Sequence, residues 1–289
     1  MGLENLIVTK YKKLLLIPLI LFIISLAILG FKYSAEGSII NKDVSLAGGI
    51  SATLILEDYN KENIQSLLEE NFPNSDISIR ELSNLGTGQK TGVIIDMSGV
   101  TSQELRPILE ENLNSEETSI QEVGPSLGDS FFKEMVGAII FAFILMAITI
   151  LIIFRKLIPS LAVILSAVLD LVVTLAIISM LNFKLSSAGI AAFLMIIGYS
   201  VDTDVLLTTR VIRRKELGTL EERIRGAFKT GMTMTITTLI ALLVGLFVTN
   251  SIIIKQMFTI IIIALIVDLI STWIMNTSLL TWYVKRKND

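Results

Sequence analysis

Long runs of apolar residues are the feature that most limits how this chain can fold. Each of six runs is long enough to cross a hydrocarbon core of about 30 Å as a helix that rises about 1.5 Å per residue. Because lipid offers the backbone no hydrogen-bond partners, each run is expected to be helical. The 52% share of hydrophobic residues also favours an integral membrane protein. The predicted spans cover residues 14–30, 135–154, 158–181, 185–207, 230–248 and 252–283.

The first apolar run has two interpretations. It follows Lys10, Lys12 and Lys13, and the small residues Ser34 and Ala35 come after it. A basic start, an apolar core and small residues also characterise a cleaved signal peptide. The run is longer than a usual signal core, which favours a transmembrane helix, with cleavage as the alternative.

Basic residues are concentrated on one predicted side of the membrane. They precede the first span, separate the second from the third as Arg155 and Lys156, and fill the loop 210–229 and the tail 285–287. The positive-inside rule assigns this side to the cytoplasm. We therefore predict a multi-pass protein of the cytoplasmic (cell) membrane with both termini in the cytoplasm.

The segment between the first two spans is polar and acidic, and its pattern predicts a folded domain outside the membrane. Apolar residues alternate where a strand is expected and recur at helical spacing where a helix is expected. The predicted elements are a strand at 50–56, a helix at 64–72, strands at 77–79 and 92–97, a helix opened by a Thr101–Glu104 capping box, and a strand near 119–123. This β-α-β-β-α-β order is that of a ferredoxin-like α+β fold.

These patterns divide the chain into three parts. Residues 1–31 are predicted to form the cytoplasmic N-terminus and first transmembrane helix, residues 32–131 the extracytoplasmic domain, and residues 132–289 five further transmembrane helices and the cytoplasmic C-terminus. The chain contains no Cys and no His, which excludes disulfides, thiolate metal sites and imidazole acid–base catalysis. We predict no enzymatic activity, no catalytic residue, no metal site and no cofactor.

Four aspartates lie within predicted spans, where a charged side chain is unfavourable and suggests a function. Asp170 lies about 16 Å into its span, close to the bilayer midplane, and is the most central candidate for ion coupling. Asp202 lies about 12 Å from the cytoplasmic end of its span, and Asp268 lies within the last span. Asp204 is expected nearer the surface, where the lipid headgroups or Arg210 explain it equally well. A carboxyl group held away from water can bind and release a proton, as a proton relay requires.

Hydroxyl groups on the fifth span can complete such a site. Thr230, Thr233 and Thr237 share one helix face, and Lys229 stands at the start of this helix. We take Lys229, Thr233 and Thr237 as further ion-coupling candidates. The routine use of Thr in packing between membrane helices explains the same face equally well.

The stretch 197–210 contains Gly198, Tyr199 and Ser200 and begins 27 residues after Asp170. In these residues and in this spacing it resembles a motif of SecF, the smaller membrane subunit of the SecD–SecF family of protein-export proteins, and the archaeal form more than the bacterial one. Two shorter matches are Gly48-Gly49, before the first strand of the outside domain, and Thr-Thr-Leu at 237–239.

The sequence also departs from the bacterial members of this family. Leu169 stands where they have a His before the Asp of the third span. They read Gly-Tyr-Ser, a variable residue and then Asn-Asp, so that an ungapped match sets Asp202 under the Asn and Thr203 under the Asp. Whether Asp202 or Asp204 has the functional role therefore stays open.

The resemblance implies a fold similar to half of an RND-superfamily transporter, completed by SecD as the other half. It implies an accessory subunit of the Sec export machinery that, with SecD, uses the proton or sodium gradient to promote late steps of translocation. The implied partners are SecD, the SecY-containing channel, the translocating polypeptide and the lipid membrane, with no nucleic acid.

Two other functions fit the residues themselves. The chain can be a subunit of an ion-coupled RND-type exporter of small molecules, although such exporters usually hold two halves in one chain. It can also be a non-transporting membrane receptor or scaffold, which leaves Asp170 without a purpose.

Overall fold

The computed structural model describes residues 3–56, 59–83, 90–113, 117–214, 216, 218–249 and 251–288. The chain forms two compact units. The helical unit comprises Met1–Asn41, Gly137–Phe183 and Ala188–Asp289. The sheet unit comprises Lys42–Val136 and Lys184–Ser187. The sheet unit therefore contains residues 184–187, which lie far along the chain from its other residues and include the first residue of a long helix, Ser187.

The helices follow one another along the described chain, and a short π-helical segment interrupts the last of them. Their bounds are α1 (Leu3–Leu14), α2 (Leu16–Glu36), α3 (Val44–Ala47), α4 (Lys61–Asn71), α5 (Ser102–Asn112), α6 (Pro125–Phe154), α7 (Leu157–Met180), α8 (Ser187–Ile212), α9 (Leu220–Val248), α10 (Ile252–Ile270), the π-helical segment (Ser271–Asn276) and α11 (Thr277–Asn288).

Among the described residues, six helical stretches are long and apolar enough to cross a membrane. They are Thr9–Glu36, Pro125–Phe154, Leu157–Met180, Ser187–Ile212, Leu220–Val248 and Ile253–Lys287. The predicted bundle of six membrane helices is thus confirmed in number and order. The helices are generally longer than the apolar runs, because a helix does not have to end where its apolar part ends.

The sheet unit is built on a four-stranded antiparallel sheet. Its strands are β1 (Gly49–Ile55), β2 (Ile77–Ser83), β3 (Lys90–Met97) and β4 (Glu117–Val123), in the spatial order β2-β3-β1-β4. Alternate residues of β1, namely Ile50, Ala52 and Leu54, are fully buried because successive side chains of a strand point to opposite faces. The helical residues in the same core are Ile64 and Leu68 of α4 and Leu105 and Leu109 of α5.

Side-chain caps fix the starts of the two helices in this unit. Asn60 Oδ1 accepts a hydrogen bond of 2.9 Å from the backbone N–H of Glu62 at the start of α4. The predicted capping box of Thr101 and Glu104 is present at the start of α5. Each cap satisfies backbone N–H groups that lack partners within the helix.

The α7 helix lies at the centre of the helical unit. It packs against α2, α10 and the π-helical segment. Ser166, Asp170 and Thr174 are all completely buried and lie four residues apart along α7. This spacing places them on one helix face, so α7 presents a line of polar groups to the interior of the bundle.

Candidate ion-coupling site

Three carboxyl groups from three different helices meet in the interior of the helical unit. Asp170 of α7 and Asp204 of α8 have no exposed surface, and Asp268 of α10 is 2% exposed. We call these three residues the carboxyl cluster. Burying carboxyl groups in an apolar bundle is unfavourable unless polar groups, protons or cations compensate them.

Asp170 is held by the neighbouring helix α8. Ser200 Oγ donates a hydrogen bond of 2.5 Å to Oδ2 of Asp170. The other carboxyl oxygen, Oδ1, is buried and has no hydrogen-bond partner among the described residues, and the same is true of the hydroxyls of Ser166 and Thr174. Buried polar atoms without partners are uncommon, and here they line one side of the cluster.

A single hydroxyl group lies between the other two carboxyl groups. Thr272 Oγ1 is 2.9 Å from Oδ1 of Asp204 and 3.1 Å from Oδ1 of Asp268. Asn276 donates a second hydrogen bond, of 2.6 Å, from Nδ2 to the same oxygen of Asp204. Thr203 Oγ1 lies 3.2 Å from Oδ2 of Asp268. Asp204 and Asp268 are therefore linked through the shared hydroxyl group of Thr272.

The π-helical segment provides both Thr272 and Asn276, which the sequence analysis did not predict as site residues. π-Helical turns are rare in proteins as a whole, but those that occur are often found at functional sites. In the sequence, these two residues belong to a cluster of polar side chains inside an apolar span. All of its members are buried in the structure, namely Ser271, Thr272, Asn276, Thr277, Ser278 and Thr281.

No basic side chain compensates the carboxyl cluster within the described part of the chain. None of the ion pairs found there includes Asp170, Asp204 or Asp268. The recorded hydrogen-bond donors are three hydroxyl groups and one amide, and all of them are uncharged. An uncompensated charge is strongly unfavourable in such an interior. The arrangement therefore suits groups that protons or a small cation neutralise.

The structure reverses the expected placement of Asp202 and Asp204. Asp204 is completely buried, whereas Asp202 is exposed on this chain. Residues two positions apart on an α-helix differ by about 200° in rotation about the helix axis. The side chains of Asp202 and Asp204 therefore point in nearly opposite directions. The expectation that Asp204 lies nearer the surface was wrong, because it considered depth along the helix and ignored rotation about it.

Asp202 instead lines a cleft of about 450 Å³ on the helical unit. Tyr199 of α8 and Thr233 and Thr237 of α9 also line this cleft, and Asp268 lies at its edge. Because Asp268 belongs to both the cleft and the carboxyl cluster, the cleft reaches from the exposed side of α8 to the buried acids.

Two of the three predicted candidates on α9, Thr233 and Thr237, line the cleft, but their hydroxyl groups do not donate to the carboxyl cluster. Thr233 Oγ1 donates to the backbone oxygen of Lys229 at 2.8 Å, and Thr237 Oγ1 donates to that of Thr233 at 2.7 Å. Their hydroxyl hydrogens are thus used within their own helix. Lys229 is exposed, and it forms no ion pair with another residue in the described ranges.

The glycine-containing motifs have different structural roles. On α8, Ser200 contacts Asp170, Tyr199 is 39% exposed in the cleft, and Gly198 leaves open space beside the helix. Gly48 and Gly49 have φ values of +81° and +126°, which L-residues with side chains rarely adopt.

Close packing adds a second reason for these two glycines. A side chain at Gly48 would clash with the backbone of Pro125, and one at Gly49 would clash with the backbone oxygen of Met97. These residues therefore shape the junction between α3 and β1 and lie in the sheet unit, apart from the ion-coupling candidates.

Residues 105–286 match the family described as protein export membrane protein SecD/SecF, C-terminal. The protein-export membrane protein SecF of Methanolacinia petrolearia is 36% identical over 281 residues, which cover 95% of this chain and 94% of that protein. The SecF of Methanocaldococcus jannaschii is 35% identical over 288 residues, which cover 96% of this chain and 97% of that protein.

Among solved structures, the crystal structure of SecDF, a translocon-associated membrane protein from Thermus thermophilus, has a similar fold with a TM-score of 0.77. The sequences are 20% identical, and the match covers 98% of this chain but only 38% of the SecDF chain. At that identity the likeness concerns the fold alone. The family match and the nearly full-length archaeal relatives show that this chain belongs to the SecF family of protein-export membrane proteins.

Proposed function

We propose that this chain works with a SecD-type partner to couple the downhill movement of protons, or of sodium ions, to protein export. The carboxyl cluster is the ion-binding group in this proposal, with Asp170 at its centre. The observation that carries the proposal is that hydroxyl groups around the acids, each with one hydrogen to donate, face two acceptor oxygens each.

Thr272 illustrates this arrangement. Its hydroxyl has one hydrogen, yet its oxygen lies within hydrogen-bond distance of a carboxyl oxygen of Asp204 and of one of Asp268. Thr272 can donate to only one of them. The other contact is a hydrogen bond only when that carboxyl group itself carries a proton and donates it to Thr272.

Thr203 repeats the pattern on the other side of Asp268. Its hydroxyl oxygen is 3.0 Å from the backbone oxygen of Ser200 and 3.2 Å from Oδ2 of Asp268. A donor with one hydrogen again faces two acceptors, so a proton on the cluster improves the hydrogen bonding. A sodium ion would find carboxyl, hydroxyl and amide oxygens, which are ligands suited to a hard cation.

The exposed carboxyl group of Asp202 supports a partner on this side of the bundle. A carboxylate that faces lipid at this depth is unfavourable. A second membrane subunit that covers the cleft with Tyr199, Thr233 and Thr237 would remove it from lipid. We propose a SecD-type chain there, because the SecDF chain of similar fold is far longer than this one and its name combines both subunits.

The proposed topology follows the predicted division of the chain into residues 1–31, 32–131 and 132–289. Both termini lie in the cytoplasm, and residues 32–131 form a ferredoxin-like domain outside. The antiparallel order β2-β3-β1-β4, with α4 and α5 packed in the core of the sheet unit, supports that fold. The SecY-containing channel and the translocating polypeptide are the proposed partners of the complete assembly.

The substitution Asp170→Asn tests the proposal in vesicles that contain the SecD-type partner and the Sec channel. We expect gradient-dependent export to fall by at least about tenfold, because one ion-binding carboxyl is lost, which corresponds to about 1.4 kcal/mol. Export without a gradient and copurification of the partner should be unchanged. Asp76→Asn is the matched control, since Asp76 is exposed and lies in the sheet unit, outside the carboxyl cluster. Unaffected gradient-dependent export would refute the proposal, and drug sensitivity of a deletion strain with normal export would favour a small-molecule exporter.

A further inference from the structure

A second buried acid lies in the sheet unit and is fully paired. Asp96 of β3 has a side chain that is 4% exposed. Ser51 Oγ donates to its Oδ1 at 2.8 Å, and Arg80 donates to its Oδ2 through Nε at 3.1 Å and Nη2 at 2.7 Å. Lys184 Nζ completes the set with a contact of 3.1 Å to Oδ2.

Lys184 differs from the other partners in its position along the chain. Ser51, Arg80 and Asp96 lie on neighbouring strands of the sheet. Lys184 comes about 90 residues later, in the short connection between α7 and α8. Arg80 and Ser51 already provide three hydrogen bonds to Asp96, so the sheet does not need Lys184 to satisfy this acid.

Backbone contacts hold the same connection at two further points. The N–H of Asp43 donates to the oxygen of Leu185 at 2.9 Å, within a parallel bridge that pairs Lys42 with Leu185. The N–H of Ser187 donates to Ser45 Oγ at 3.1 Å. Residues 184–187 are therefore bound to residues 42–45 and to Asp96 as part of one compact unit.

The helices on either side of this connection carry the ion-coupling candidates. α7 ends at Met180 and contains Asp170, and α8 begins at Ser187 and contains Ser200 and Asp204. Three residues, 181–183, separate the end of α7 from Lys184. A shift of α8 along its axis therefore displaces Ser187 or breaks its contact, and a shift of α7 reaches Lys184 through only three residues.

We propose that Lys184 and Asp96 form a clasp that transmits ion-driven shifts of α7 and α8 to the sheet domain. This proposal rests on the proposed function. Lys184 is a positioning residue in it, and the backbone bridge at Leu185 fixes the direction of the Lys184 side chain. The clasp stays closed during the cycle, so that the sheet domain moves with the connection between the two helices.

The first test is Lys184→Gln, which removes the charge of the clasp and leaves Asp96 paired with Arg80. We expect gradient-dependent export in the reconstituted vesicles to fall by about fivefold or more, the lower end of typical coupling between sites. Ion flux through the assembly should stay unchanged, because Lys184 does not contact the carboxyl cluster. Lys184→Arg, which keeps the charge, should retain most of the export.

A covalent replacement of the clasp gives the second test. The chain has no Cys, so Lys42→Cys and Leu185→Cys introduce a unique pair at the parallel bridge. Bridged neighbours lie about 4.8 Å apart, within the range of about 4.4–6.8 Å that a disulfide spans. In the Lys184→Gln background, the oxidised pair should restore export, and reduction of the same sample should remove the gain.

Three results would overturn the clasp: full export by Lys184→Gln, loss of ion flux together with export in that variant, or no rescue by the oxidised cysteine pair. The proposed function is judged separately in the same vesicles by Asp170→Asn. Unchanged ion flux and export in Asp170→Asn would refute ion coupling at the carboxyl cluster, whereas the three results above concern Lys184 and the bridge alone.

Discussion

Two acidic sites in the described part of the chain are buried to a similar extent but differ in their partners. In the sheet unit, Asp96 contacts two cations, Arg80 and Lys184. In the helical unit, the hydrogen-bond donors to the carboxyl cluster among the described residues are hydroxyl groups and an amide. At the first site, two cations compensate the acid and hold it in place. The second has no charge of opposite sign among the described residues, which suits groups whose charge changes during a cycle.

This difference teaches that burial alone does not distinguish a functional acid from a structural one. Asp96 and Asp204 are exposed by 3% and 0%, respectively. Their hydrogen-bond and ion-pair partners separate them: a buried acid with matched cations is a stable ion pair, and one without them has to be neutralised in another way.

The largest expected effect comes from making the same substitution at both sites. Asp96→Asn leaves Arg80 and Lys184 facing a neutral amide, and we expect a loss of about 3 kcal/mol in stability, the low end for a broken buried pair because both cations keep some exposure. Asp204→Asn keeps an oxygen that can accept from Thr272, and its stability should change by less than about 1 kcal/mol. Thermal unfolding of the purified complex measures both. Equal losses at the two sites would contradict the comparison.

The next effect concerns ion binding. Ser200→Ala removes the hydrogen bond of 2.5 Å to Asp170. A hydrogen bond to a charged group contributes about 1.5–3 kcal/mol, so the ion concentration needed for half-maximal export should shift by at least about tenfold. Ser25→Ala is the matched control, because Ser25 is a buried serine of α2 that is outside this set of contacts. A shift of the same size in both variants would show that Ser200 acts only through packing.

Sequence reasoning works best in this chain where a local pattern decides the outcome. The apolar runs predict the six membrane helices because every backbone group in lipid must be satisfied within a helix. The capping box of Thr101 and Glu104 is predicted because both residues belong to the same helical turn.

The candidate site is less predictable because it depends on rotation and on distant partners. Depth along α8 favoured Asp202 over Asp204, but the direction of each side chain decides which one is buried. Thr272 and Asn276 reach the acids from a π-helical segment whose wider turn has no simple sequence signal. Asp170 was identified because its position near the middle of a span is itself a local property.

A smaller effect is expected at the cleft. Thr237→Val removes a hydroxyl that donates to the backbone oxygen of Thr233 and does not reach the carboxyl cluster. This hydrogen bond lies within α9, and even hydrogen bonds between two membrane helices average only about 0.6 kcal/mol, so export should change by less than about threefold. Thr272→Val, which removes the hydroxyl between Asp204 and Asp268, is the contrasting variant in the same export assay. A larger loss in Thr237→Val than in Thr272→Val would move the ion site from the buried acids to the cleft.

The smallest expected effect is the pH dependence of stability that arises from Asp43, an acid of the sheet unit that pairs with Arg80. Burial raises the pKa of Asp43 above its usual value of 3.8, the nearby charge of Asp96 adds to this, and Arg80 opposes it. The folded state therefore keeps a proton on Asp43 at pH values where the unfolded chain has lost it. The resulting stabilisation is complete below pH 3.8 and disappears as pH rises through the folded-state pKa.

The Asp43→Asn variant has no side chain at this position that can titrate. The variant should therefore gain stability relative to the natural chain as pH rises from 3.8 through the folded-state pKa of Asp43, and the difference should stay constant at higher pH. Melting temperatures of both chains from below pH 3.8 to neutral pH measure the change. Parallel pH curves would contradict the raised pKa of Asp43. A gap that widens through this pH range would instead show that an acid titrates beside the clasp, where Arg80 pairs with both Asp43 and Asp96.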